Sequence, residues 1–184
     1  VVAYNNRKAS LQFIQQEMNN ITALSNETCQ LGIQSRNMVL YIAKKDSPQP
    51  IRLMSSVGKQ LPLYCTGLGR ALLAYKSEEE IRSLFPEVLT AYTPHTIATI
   101  NDLLKELELT RQRGYAVERE ETNLMVNCIA VSLDYNNAPI AALSISIPTF
   151  RISESKEKEA VQILWEAKQR IETHFKMYGV DFGN

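Results

Sequence analysis

Four groups of residues in this chain have the types and spacing to hold a ligand. The first is Thr66-Gly67-Leu68-Gly69. Thr66 is a good N-cap type, whose hydroxyl accepts from a backbone N–H two or three residues on. Gly67 and Gly69 leave the first-turn amides uncovered by side chains. Such a helix start presents unpaired N–H groups and the positive end of the helix dipole, which suits a carboxylate or phosphate. The second group is Glu118, on a short β-type run after Gly114. The third is Cys128, and the fourth is the pair Ser144 and Ser146. Each has a plainer reading as well. The glycines equally fit a close-packed turn, the serines a solvated strand face, Cys128 a small core residue, and Glu118 a surface ion pair with Arg119 or a lysine.

Catalysis asks for more than this. A nucleophilic cysteine or serine needs a base within hydrogen-bond reach. His95 sits in an irregular segment and His174 late in a long helical stretch, and neither has a motif around it. Cys29, Cys65 and Cys128 are widely spaced and include no CxxC pair, so neither a disulfide framework nor a zinc site is expected. Glu120-Glu121 reads as a solvated pair in a loop. No lysine or arginine falls on the inferred ligand face, which leaves backbone amides and the helix dipole to meet a negative charge. Binding is expected, with no catalytic residue, metal or cofactor.

These residues need elements to carry them. Residues 5–25 read as a helix, with Leu11, Ile14, Met18 and Ile21 three and four apart. Two strands follow, 27–34 and 37–45, joined by a turn at Ser35-Arg36-Asn37. After the loop Asp46-Ser47-Pro48-Gln49-Pro50, a strand is expected over Ile51–Ser55. The helix opened at Thr66 carries Leu68, Ala71, Leu72 and Tyr75 on its buried face. Ser77-Glu78-Glu79-Glu80 is a capping box for the next helix. Residues 88–99 are irregular, and 101–113 form a helix that Gly114 ends. A strand at 115–119 and a hairpin of 126–134 with 139–147 complete the sheet. The period of two puts Cys128, Ala130 and Ser132 on one face, with Ala142, Ser144 and Ser146. Those six share a face of the sheet only if the hairpin loop is odd in length or carries a bulge. A long helix over 154–177 closes the chain.

Bulk properties agree with one globular unit. The chain has 184 residues, 45% of them hydrophobic, with 20 basic and 20 acidic side chains. Zero net charge argues against this piece gripping nucleic acid by itself, since phosphate binding needs a concentrated positive face. No apolar run approaches the length of a membrane span. Free cysteines suit a cytoplasmic setting. The opening Val1-Val2 suggests an excised fragment.

Four boxes, in order, resemble the IclR family of bacterial transcription regulators. Leu61-Pro62-Leu63-Tyr64-Cys65-Thr66-Gly67-Leu68-Gly69-Arg70-Ala71-Leu72-Leu73-Ala74 is similar to the family's "LPLYxTxxGKALLA". Gly114-Tyr115-Ala116-Val117-Glu118-Arg119-Glu120-Glu121 resembles "GYAxDxEE". Cys128-Ile129-Ala130-Val131 and Ile140-Ala141-Ala142-Leu143-Ser144-Ile145-Ser146 resemble its "CIAVPV" and "AALSIS" strands, and Asn26-Glu27-Thr28 its "GET". The resemblance implies an α+β, GAF-like effector-binding domain: an antiparallel sheet with packed helices and long helices at both ends. Residues 1–25 would be the leading helix and 26–180 the body. A winged helix-turn-helix domain, absent from this chain, would precede it and make the contact with DNA. The implied partners are a small organic acid and further copies of the chain, as a dimer or tetramer, and the implied role is repression. By position, the implied pocket uses the amides of Gly67, Leu68 and Gly69, with Glu118, Cys128, Ser144 and Ser146, and with Leu53, Met54 and Val126 as walls. Glu118 stands where the family often has Asp, and Met125 where Gly is common. Two other readings are a GAF-like domain with cysteine chemistry at Cys128 or Cys65, and a plain oligomerisation module.

Overall fold

The computed structural model describes residues 2–53, 55–180 and 182, with side chains from residue 9 onward. In chain order come α1 (Val2–Ser25), β1 (Thr28–Ser35), β2 (Met38–Lys45), β3 (Gln60–Pro62), α2 (Gly67–Leu73), α3 (Glu78–Leu84) and α4 (Ile100–Arg113). Then follow β4 (Ala116–Arg119), β5 (Val126–Tyr135), β6 (Ala138–Pro148) and α5 (Glu154–Tyr178). The strands form one antiparallel sheet in the order β3-β2-β1-β6-β5-β4. The expected α+β class holds, with the long helices at the two ends.

Local chemistry places the helix boundaries. Thr66, Ser77, Thr99 and Ser153 each accept a first-turn N–H into their side-chain oxygen. At Ser77 the capping box is complete, with Glu80 bonding back to the cap. Gly114 ends α4 in the left-handed region that favours glycine, at φ 79°.

The two faces of the sheet pack against different helices. Ile129, Val131, Leu133, Leu143, Ile145 and Ile147 lie with Ile14, Met18 and Ile21 of α1 and Leu164, Ile171 and Phe175 of α5. Ala130 and Ala142, on the other face, meet Leu68 and Leu72 of α2 and Leu103 and Leu107 of α4. Large side chains fill one face and small ones let helices approach the other.

Two bulges set which residues share a face. Asn136 and Asn137 form a two-residue turn with φ 51° and 63°, the left-handed pair that tight hairpins use. Asp134 then faces Pro139 but Leu133 faces Ala141, so Ile140 is the extra residue. This bulge meets the condition set by the sequence: Cys128 faces Ser146 and Ala130 faces Ser144. In the second, Leu31 faces Ala43 but Gly32 faces Tyr41, which makes Ile42 the extra residue. Ala43 therefore joins the α1/α5 core, while Tyr41 and Val39 turn to the α2 side.

Three local expectations fail. Residues 51–53 and 55 form no strand, and the third strand is Gln60–Pro62. The segment runs instead as side-chain-tethered loop: Gln30 Nε2 donates to Ser55 Oγ and Lys44 Nζ to the Ser55 carbonyl. Tyr75 is not on a buried helix face but 62% exposed, because α2 ends at Leu73. The first hairpin turns on Arg36-Asn37 alone, with Ser35 already paired to Met38.

Candidate functional site

Helix α2 lies over Ala130 and Ala142, and its first residue, Gly67, packs against Cys128. The next facing pair, Cys128 and Ser146, opens into a cavity of about 330 Å³, at the small end of the ~300–1,000 Å³ usual for small-molecule sites. Cys128, Ser146 and Gln30 of β1 form its floor. Tyr41, Leu53, Leu61 and Val126 supply apolar wall. Glu118 enters from β4 with Thr122 and Asn123 beside it, and Ser55 and Lys59 come from the connection between β2 and β3.

The floor is a closed hydrogen-bond chain. Ser146 Oγ donates to Gln30 Oε1 at 2.8 Å and Ser144 Oγ to the same oxygen at 3.3 Å. Gln30 Nε2 donates to Ser55 Oγ at 2.6 Å. Cys128 Sγ lies 3.1 Å from Ser146 Oγ. Since the Ser146 proton goes to Gln30, the thiol is the donor in that contact. The two serines are buried, so the solvated-face reading does not hold.

Glu118 is 2% exposed. Its Oε1 accepts from Thr122 N at 3.1 Å and Thr122 Oγ1 at 2.6 Å. Burial pushes its pKa above 4.5, against the pull of the two Thr122 bonds. It makes no pair with Arg119, which reaches Glu157 at 2.7 Å. The thiols are held protonated: burial pushes Cys65 up to about 12 and Cys128 well above its ordinary value. A thiolate nucleophile needs the opposite environment, so the reading of cysteine chemistry finds no support here.

The helix start beside the cavity is shaped by close packing. Thr66 Oγ1 accepts from Gly69 N at 3.1 Å and donates to the Pro62 carbonyl at 2.9 Å. A Cβ on Gly69 would lie 2.1 Å from the Leu63 carbonyl oxygen, and one on Gly67 would lie 3.2 Å from Cys128 Cβ. Of the residues singled out from sequence, Leu53, Glu118, Val126, Cys128 and Ser146 line the cavity together. Gly67, Leu68 and Gly69 stand behind its wall, with Gly67 against Cys128 and Leu68 in the α2 core. Ser144 reaches it only through Gln30. Met54 lies outside the described residues.

Sequence reasoning missed Gln30, Lys59 and Thr122. Gln30 sits between Cys29 and Leu31 and is buried with them, although its side chain is polar. Lys59, two residues before Leu61, shares its face by the strand period, and it overturns the expectation of no cation on the ligand face. Glu121 was also misread. It is buried, and both its oxygens hold Arg70 of α2. Among the described residues no group of His, Cys, Asp or Glu is placed to hold a metal, and no helix is long and apolar enough to cross a membrane.

Residues 4–173 match the family model described as bacterial transcriptional regulator IclR C-terminal. The chain is 38% identical over 157 residues to the HTH-type transcriptional regulator KdgR of Dickeya chrysanthemi, covering 84% of this chain and 52% of that protein. It is 33% identical over 158 residues to the HTH-type transcriptional repressor AllR of Escherichia coli K12, covering 85% of this chain and 58% of that one. The chain thus spans a little over half the length of these relatives. Among solved structures, the C-terminal domain of E. coli KdgR superposes with a TM-score of 0.81 at 32% identity, covering 90% of this chain and 97% of that domain. These relatives are transcriptional regulators and not enzymes. The chain belongs to the IclR family of bacterial transcriptional regulators, and the part it matches is their C-terminal region.

Proposed function

We propose that this chain is the effector-sensing and oligomerisation domain of an IclR-type repressor. The cavity over Cys128 and Ser146 takes a small organic acid, and its occupancy biases DNA binding by a helix-turn-helix domain that the longer relatives' names imply. The observation that carries this reading is the cavity itself: beside the start of α2 the small side chains of Cys128 and Ser146 border open space, and the buried Glu118 lines it with them. Leu53, Val126, Cys128, Ser146 and Glu118 make direct contact with the effector, and Gly67, Leu68, Gly69 and Ser144 shape the wall behind. A ligand shifts such an equilibrium only by its differential affinity for two conformations. Residues 1–25 and 26–180 act as leading helix and body of one cytoplasmic domain that assembles as a dimer or tetramer. A thermal-shift screen of small carboxylates tests the sensing role. A binder at ~100 times its Kd adds about 2.7 kcal/mol of stability, and the gain is expected to vanish in Cys128→Phe, which fills the cavity. If that variant folds and responds as the parent does, the effector site lies elsewhere.

A further inference from the structure

The floor of the cavity has few donors left to offer. The Ser144 and Ser146 protons go to Gln30, the thiol of Cys128 faces Ser146, and one proton of Gln30 Nε2 goes to Ser55. Lys44, on the same side of β1 and β2, is committed to the Ser55 carbonyl and to Asp46 at 2.6 Å. Arg70 is locked onto Glu121. Lys59 is different: it lines the cavity and forms no salt bridge with a carboxylate among the described residues. Its backbone is fixed although its side chain is exposed. The Lys59 carbonyl accepts from Tyr41 N at 3.0 Å and Lys59 N donates to the Ser56 carbonyl at 3.3 Å. That pins it opposite Tyr41, and it shares the face of Leu61, which pairs with Val39. At the other end, Glu118 has given one oxygen to Thr122 and keeps the second for a hydroxyl donor.

We infer that Lys59 is the specificity-determining residue of this cavity: it takes the carboxylate of a hydroxy acid whose hydroxyl end reaches Glu118. The inference rests on the sensing role proposed above. It moves the anion contact from the α2 start to the β2–β3 connection. A flexible, exposed ammonium makes a charge-assisted bond and adds nothing for an uncharged amide of the same shape.

The experiment is titration calorimetry on this chain at low salt. The probes are glycolate, D-gluconate and 4-hydroxybenzoate, each beside its uncharged amide, against the parent, Lys59→Gln and Lys59→Arg. For an acid that binds the parent, Lys59→Gln is expected to lose about tenfold in affinity, the scale of one hydrogen bond to a charged group. Lys59→Arg should retain most of the affinity, and the matching amide should not distinguish the variants. Equal binding of the acid to parent and Lys59→Gln would overturn the assignment and leave the sensing role intact. Binding of none of the three acids to the parent would overturn both.

Discussion

Arg70 of α2 and Glu121 of the loop after β4 form a two-point ion pair inside the protein, with Nη1–Oε2 at 2.6 Å and Nη2–Oε1 at 2.5 Å. Their side chains are 2% and 6% exposed. Arg70 also donates to the carbonyls of Tyr64 and Val117, and Glu121 Oε1 also accepts from Ile97 N. The pair ties α2, the edge strand β4 and the irregular segment 88–99 to one point, three residues from the cavity's Glu118. Removing one partner would leave a buried charge unpaired, which costs about 3–5 kcal/mol, whereas replacing both with apolar residues costs much less. Arg70→Met is therefore expected to be severely destabilised, and Arg70→Met with Glu121→Leu to recover a large part of the loss. Urea unfolding of the single and double variants measures the coupling.

Met125 has φ 69° and a half-exposed side chain. Its amide is held by Glu120 Oε1 at 2.7 Å and its carbonyl accepts from Thr149 N at 3.0 Å, so the loop keeps a conformation that a non-glycine residue adopts at a cost of about 1 kcal/mol or more. Met125→Gly keeps both backbone bonds and loses little packing. The expected gain is about 0.5–1 kcal/mol after the added freedom of glycine in the unfolded chain is offset, read as a higher urea midpoint.

Glu118 gives stability a defined pH dependence. With its pKa raised by burial, the folded chain holds this proton to higher pH than the unfolded chain. Its contribution is full below about 4.5 and is lost as pH rises through the folded-state value, by up to about 1.4 kcal/mol per pH unit. In Glu118→Gln the amide oxygen still accepts from Thr122 and nothing titrates. The difference in unfolding free energy, variant minus parent, should grow with pH above 4.5 and level off once Glu118 is fully ionised in the fold. A flat difference would mean that Glu118 ionises in the fold as it does in water.

The thiols should be slow. Iodoacetamide reacts with the thiolate, and burial disfavours that form at Cys65 and Cys128. At neutral pH the native chain is expected to be alkylated far more slowly at all three cysteines than after unfolding in urea. Peptide mass mapping over time checks this, and selective rapid labelling of Cys128 would revive a reactive role.

Much of the scaffold was legible from the residues alone, because the physics involved is short-ranged. A threonine or serine one residue ahead of a helix, a glycine just after one, and alternation of large and small side chains along a strand act within a few positions. They placed Thr66, Ser77, Gly114 and the two faces of β5 and β6. The same alternation put Cys128 and Ser146 on one face once the hairpin's parity was stated as a condition.

What local pattern could not decide was which charges are buried and where the small-residue face stays uncovered. Glu120 and Glu121 are neighbours of one type, yet Glu121 meets an arginine 51 residues away in sequence and is buried. Tyr41 and Ala43 have the same parity, but the extra residue at Ile42 sends them to opposite cores. Residues 51–53 and 55 form no strand although Ile51 and Leu53 suit one, and Lys59 reaches the cavity because β3 forms later, at Gln60. Partners of this kind are brought together by the crossing of distant segments. Desolvation and pairing are decided there, in three dimensions, by contacts that no window of neighbouring residues contains.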